Sequence, residues 1–225
     1  MQQIGTFLLM APMLLFSMVA HEYAHGYAAL RQGDPTAYEL GRLTWNPVRH
    51  IDPFMTVILP LILFFTHMPI LGGAKPVPVN PRNYRRYKRG DIIVSLAGVA
   101  TNLAIAVLCV PLIILAGLVG RVLPAAVPSL ALLQAMLHFG VVFNLILVTF
   151  NLIPIPPLDG SHVIKHLLPP AWSLRYQQVG RFGIILLLLL LFYTPVSWWI
   201  WPVNAGAQLL LAPAAAFHLP TTLAL

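Results

Sequence analysis

Residues 21–25 read His-Glu-Tyr-Ala-His, inside a stretch from Gly5 to Leu30 that holds no Lys, Arg or Asp and only one acid, Glu22. Two histidines four apart share a helix face, one turn apart, so His21 and His25 can grip a single zinc ion. Glu22, between them, is placed to take a proton from water held at such an ion. These residue types at this spacing point to hydrolytic chemistry inside an apolar helix.

The chain carries six acids: Glu22, Asp34, Glu39, Asp52, Asp91 and Asp159. Asp34 and Glu39 fall in a loop, and Asp52 and Asp91 at helix starts, where a carboxylate favours the dipole. Only Glu22 and Asp159 fall at apolar depth, where a carboxylate costs about 2.5–3.5 kcal/mol and calls for a partner. One metal can serve both, with His21 and His25 as nitrogen ligands, Asp159 as the oxygen ligand and water in the fourth place. Glu22 then stays unligated and acts as base. Asp159 ends the run Asn151-Leu-Ile-Pro-Ile-Pro-Pro-Leu-Asp159, whose prolines stop a helix. The run reads as a rigid unwound end that presents Asp159 sideways. The plainer alternative is a proline-rich span exit with a helix-capping Asp.

Asn102 and Asn151 are polar groups in apolar spans. Each can donate to a scissile carbonyl or its oxyanion, or hold helices together by hydrogen bonds. Ser95, Gly98 and Thr101 are small enough for their helix to pack closely on its neighbours. His162 and His166 are also four apart, but lack the acid between them and read as interfacial. His138 reads as hydrogen-bonded across helices, while His50, His67 and His218 carry no pattern. Trp198, Trp199 and Trp201 cluster as a membrane-interface belt would.

The elements that must position these groups are set by composition. Of 225 residues, 59% are apolar and 8% charged, about a third of the charge fraction usual in soluble domains. This predicts an all-α polytopic membrane protein of about five to six transmembrane helices, occupying 1–225 as one membrane-embedded domain. The net charge of +7 then marks cytoplasmic loops rather than nucleic-acid binding. A lone cysteine, Cys109, excludes an internal disulfide framework. The N-terminus lacks a basic leader region, so the first apolar run is expected to remain as a span.

Charge-free runs place spans at about 5–30, 92–119, 127–153 and 182–200, with a further run at 53–72 and a short one at 203–217. The last is either a tilted span or an interfacial helix. Arg31, Arg42 and Arg49 form one cationic group. A second runs from Lys75 to Arg89, and a third is Lys165, Arg175 and Arg181. With all three cytoplasmic the split is twelve to one, Arg121 alone lying outside. The N-terminus is then outside, and the histidines lie toward the cytoplasmic half. The 53–72 run must enter and leave on one side, as a re-entrant segment; a plain crossing is the alternative. Residues 37–44 are expected as a short strand, and 72–81, rich in alternating Pro and Val, as an extended edge segment.

HEYAHG, GAKPVPVNP, SLAGVATN and NLIPIPPLDG, in this order, resemble the site-2 protease family of intramembrane zinc metalloproteases. The likeness covers roughly residues 10–165 and is closest to the compact prokaryotic type without PDZ domains, with C-terminal helices following at about 175–217. It implies one Zn2+ per chain held by His21, His25 and Asp159, with Glu22 as catalytic base. It also implies that Asn151 assists the transition state and that Asn102 is the third-span Asn. Val99 departs from the family pattern, where proline follows Ala-Gly. The resemblance implies a prokaryotic cell membrane and cleavage of single-span or other membrane proteins in or beside their transmembrane segments. A non-proteolytic metal transporter or chaperone is the alternative, but it has no use for an unligated Glu22. Residues 37–44 and 72–80 are expected to clamp an unwound substrate by strand addition.

Overall fold

The computed structural model describes residues 2–66, 73–193 and 196–220. His67 and the end of the 53–72 run lie outside them.

Helix α1 is Gln2–Gln32. Its Leu, Met and Ala content favours helix, and Arg31 in the last turn suits the carbonyl end. Gly33 stops it with φ of 110°, a conformation that glycine adopts without the Cβ penalty. The amides of Gly33 and Asp34 close back on the carbonyls of Leu30 and Ala29 at 3.1 and 2.9 Å. A one-turn helix α2 follows, Thr36–Glu39.

The strand expected at 37–44 is therefore not formed. The Asp34 carboxylate accepts the Thr36 amide at 3.2 Å and sets the turn. The Ala37 carbonyl accepts the amides of Arg42 and Leu43 at 2.8 and 3.2 Å. Gly41, with φ of 62°, turns the chain away.

Pro53–Ile58 is a wide helical turn that runs into α3, Leu59–Phe65. Together they span about 20 Å, short of the ~30 Å hydrocarbon layer. Residues 73–80 form neither helix nor strand, so the extended edge expected at 72–81 is not established. They are held by scattered partners instead. The Gly73 carbonyl accepts the Thr56 hydroxyl at 2.6 Å. The Lys75 amide donates to the His50 carbonyl at 2.7 Å, and Arg42 donates to the Lys75 carbonyl at 3.1 Å.

The long helices are α4, Tyr87–Val122, and α5, Val127–Asn151. After a proline-rich turn come α6, Asp159–Lys165, α7, Pro170–Val179, α8, Gly183–Tyr193, and α9, Val196–Leu211. Across the run expected at 182–200, α8 covers Gly183–Tyr193 and α9 begins at Val196 and continues through Pro202; residues 194–195 lie outside the described residues. Among the described residues, four helical stretches are long and apolar enough to cross a membrane: Phe7–Gln32, Tyr87–Val122, Pro124–Asn151 and Ile200–Phe217.

The chain forms two compact units, to both of which α1, α4 and α5 contribute residues. One comprises Met1–Ser17, Asn102–Thr149 and Thr194–Leu225. Its core joins Ala106, Cys109 and Ile113 to Val141, Leu145 and Val203. Small side chains at Ala106, Ala207 and Ala214 let backbones approach, as helix association in lipid requires. Gln134 ties the C-terminal segment in, donating to the carbonyls of Ile113 and Phe217 at 2.8 and 2.9 Å. Arg121, the one cation left outside by the charge count, donates to the Ala216 carbonyl at 2.7 Å. Trp198 and Trp201 are exposed on α9, as an interface belt needs; the side chain of Trp199 lies outside the description.

The other unit comprises Met18–Thr101 and Phe150–Tyr193. Its organiser is Asp34, fully buried. Besides Thr36, it accepts the Asn80 amide at 2.6 Å and the Asn83 side chain at 2.8 Å. The end of α1 is thereby fastened to the turn that precedes α4.

Candidate metal centre

The histidines of α1 lie one turn apart and face Asp159, the first residue of α6. The two Nε2 atoms are 2.9 Å apart, and Asp159 Oδ2 lies 3.4 Å from each. A tetrahedral zinc with ~2.0–2.1 Å bonds needs donor separations of about 3.3 Å, so this triangle fits one face of such a site. Asp159 Oδ2 is also buried with no hydrogen-bond partner. A buried carboxylate oxygen without a donor is unfavourable, and a cation at the triangle's centre removes the penalty. Among the described residues this is the one group of three donors close enough to hold an ion together.

Local sequence explains why these donors converge. Helix α5 ends at Asn151, and Pro154, Pro156 and Pro157 keep the chain out of helix until Leu158. Asp159 does not act as a capping side chain: the N-cap is Leu158, with no side-chain cap bond. Gly160 permits the return, since a Cβ there would run into the carbonyls of Leu152 and Ile153.

The histidines are oriented by α4. His25 Nδ1 donates to the Val94 carbonyl at 2.7 Å, which fixes the tautomer that leaves Nε2 for a metal. Gly98, one turn further on, faces both imidazoles. A Cβ there would sit 2.5 Å from His21 Cε1 and 2.6 Å from His25 Nε2. The small residue expected for close packing thus bears on the donor pair itself.

Glu22 stays outside the donor group. Its Oε2 accepts the Val77 amide at 2.8 Å, so the 73–80 segment holds the acid. Gly26, one turn along α1, makes room for Val77 and Leu43.

The two asparagines part company. Asn151 is the partly buried last residue of α5, eight residues before Asp159. Asn102 is fully buried, and its amide donates to the Asn144 side chain at 2.7 Å and the Ser17 carbonyl at 3.3 Å. Asn144 in turn donates to Ser17 Oγ and the Gly140 carbonyl, both at 2.8 Å. That polar knot was missed in the sequence at Asn144; its signal is a third Asn at apolar depth.

A second cluster was also missed. Asp91 does not sit exposed at a helix start but is 2% exposed. It pairs with Lys165 Nζ and His166 Nε2 at 2.7 Å and His162 Nδ1 at 3.2 Å. His162 and His166 therefore lie in α6 and at its C-cap rather than in a loop. The signal available was their stripe with Lys165, three and four residues apart on one helix face.

Two imidazoles, a carboxylate and a neighbouring unligated acid on apolar helices form a donor set that belongs with metal-dependent hydrolases of membranes. Over 209 residues the chain is 37% identical to YwhC of Bacillus subtilis, covering 92% of this chain and 91% of that one. It is 29% identical to Rip2 of Mycolicibacterium smegmatis, over 87% of this chain and 71% of that one. It is 30% identical to Rip2 of Mycobacterium tuberculosis, over 88% and 72%. All three are provisionally named zinc metalloproteases. The family model described as Peptidase family M50 matches residues 115–191, a stretch that includes Asn151 and Asp159. No solved structure matches the chain. The chain belongs to peptidase family M50, the site-2 protease family, and is a zinc metalloprotease.

Proposed function

We propose that this metalloprotease is an intramembrane endopeptidase that hydrolyses peptide bonds within or beside transmembrane segments of other membrane proteins. We assign His21, His25 and Asp159 as the zinc ligands. The observation that carries the assignment is the buried Asp159 Oδ2, without a hydrogen bond and 3.4 Å from both imidazole nitrogens. Zinc bound there supplies Lewis acidity, which polarises the scissile carbonyl and acidifies water.

Glu22 is the general base and then the general acid. It takes one proton from the attacking water and passes it to the leaving amine as the C–N bond breaks. The Val77 amide engages Oε2 and leaves Oε1 to receive that proton. Asn151 is assigned as a donor to the carbonyl oxygen as it gains charge. The two hydrogen bonds from the Asn102 amide favour an interhelical role for that residue.

A helical substrate hides its carbonyls and must unwind before cleavage. The 73–80 segment touches Glu22 through Val77 and offers the unwound chain a place to lie. Residues 37–44 form no strand that could join such a clamp: α2 ends at Glu39 and the rest is turn and irregular chain. In a prokaryotic cell membrane the three cationic groups face the cytoplasm, the N-terminus lies outside, and the Pro53–Phe65 helix dips in and returns.

The test is co-expression with a panel of single-span membrane proteins, wild type against Glu22→Gln. Fragments that appear only with wild type support the reading. Identical fragment patterns from both, or cleavage confined to soluble substrates, contradict it.

A further inference from the structure

Helix α6 is a rod of two turns, about 10 Å long. Asp159 stands at its first residue, His162 at its middle, and Lys165 and His166 at its far end. All three of these basic side chains converge on one buried acid, Asp91 of α4. The side chains of Asp91, Lys165 and His166 are 3%, 9% and 10% exposed. Lys165 also approaches His162 Nδ1 at 3.2 Å. Tyr87 walls the cluster, edge-on to the His166 ring and under the Lys165 ammonium.

Three features set this apart from a surface ion pair. The acid is buried, so its charge is weakly screened and its partners are firmly held. Both carboxylate oxygens are used, which fixes α6 in rotation as well as position. And Asp91 belongs to the helix that orients the other half of the donor set. Val94, three residues on, holds His25, and Gly98, a further turn on, packs against both imidazoles. One stretch of α4 thus registers the histidines directly and the carboxylate ligand through α6.

We infer that Asp91 is a positioning residue for the metal centre: by locking the far end of α6 it sets where Asp159 Oδ2 stands relative to His21 and His25. This rests on the assignment of those three residues as zinc ligands. A merely structural ion pair affects how much protein folds. A positioning residue also changes how the folded protein binds metal.

The test uses the full chain in detergent, stripped of metal and retitrated with zinc against a competing chromogenic chelator, and separately loaded with cobalt(II). Asp91→Asn removes the charge and nearly preserves the shape. Zinc binding is expected to weaken about 10-fold or more, as it does when groups that orient ligands are lost. The cobalt d–d bands are expected to shift, and kcat to fall with KM unchanged. If Asp91→Asn does not fold, His166→Gln removes one link and keeps the Asp91–Lys165 pair; it is expected to weaken zinc binding several-fold. Folded Asp91→Asn, or in its place His166→Gln, with wild-type zinc affinity and cobalt spectrum overturns the inference. Wild-type protein that binds no zinc overturns the ligand assignment itself, a distinct result.

Discussion

Glu22 and its flanking histidines separate chemistry from binding. With Glu22→Gln the three donors are untouched and the base is gone. Zinc content is therefore expected to stay at the wild-type level while peptide hydrolysis falls about 10²–10⁴-fold, read from metal analysis and a cleavage assay on the same preparation. Gly98→Ala is the opposite experiment, since it touches no reacting group. Its methyl would intrude between imidazoles at 2.5–2.7 Å, so they must turn away. Zinc affinity is expected to fall about 10-fold or more with the helix content unchanged; affinity equal to wild type would show that α4 does not bear on the donors.

At the scale of elements, short connections set the register of long helices. The buried Asp34 joins the end of α1 to the turn before α4. Burial pushes its carboxyl pKa up, but donors from Thr36, Asn80 and Asn83 outweigh this and hold it below the ordinary 3.8. A carboxyl lowered in the folded state adds stability that is fully present above the unfolded value and lost as pH falls through the folded one. Wild type is therefore expected to lose thermal stability as pH drops below about 4, with a shallower slope in Asp34→Asn. Equal slopes would contradict this role. Gly183 serves α8 in a similar way, because a Cβ there would strike the Pro156 carbonyl. Gly183→Ala is expected to destabilise by about 1–3 kcal/mol, read from the denaturation midpoint.

These connections also mark where sequence reading ran short. That His21, His25 and Asp159 gather was legible because imidazole and carboxylate are rare at apolar depth and call for a partner there. The turn at 36–39 was not, since β-forming residues there are overridden by the Asp34 carboxylate. Nor was the role of Asp91, whose partners lie more than seventy residues away in α6.

For the whole molecule, the proposed orientation rests on the cations. Twelve of thirteen fall in three groups that the proposed orientation puts in the cytoplasm. On a Cys109→Ala background, single cysteines at Arg85 and Arg175 are expected to react with an impermeant maleimide only from the cytoplasmic side, and one at Arg121 only from outside. A cysteine at Arg49 that labels from the side opposite to one at Arg85 would mean that the Pro53–Phe65 segment crosses.

The most direct test of the account is the zinc content of purified protein. One zinc per chain is predicted for wild type and Glu22→Gln, with loss of at least most of it in His25→Ala and in Asp159→Ala. Zinc retained at one per chain in either alanine variant, or absent from wild type, would contradict a centre built from α1 and α6.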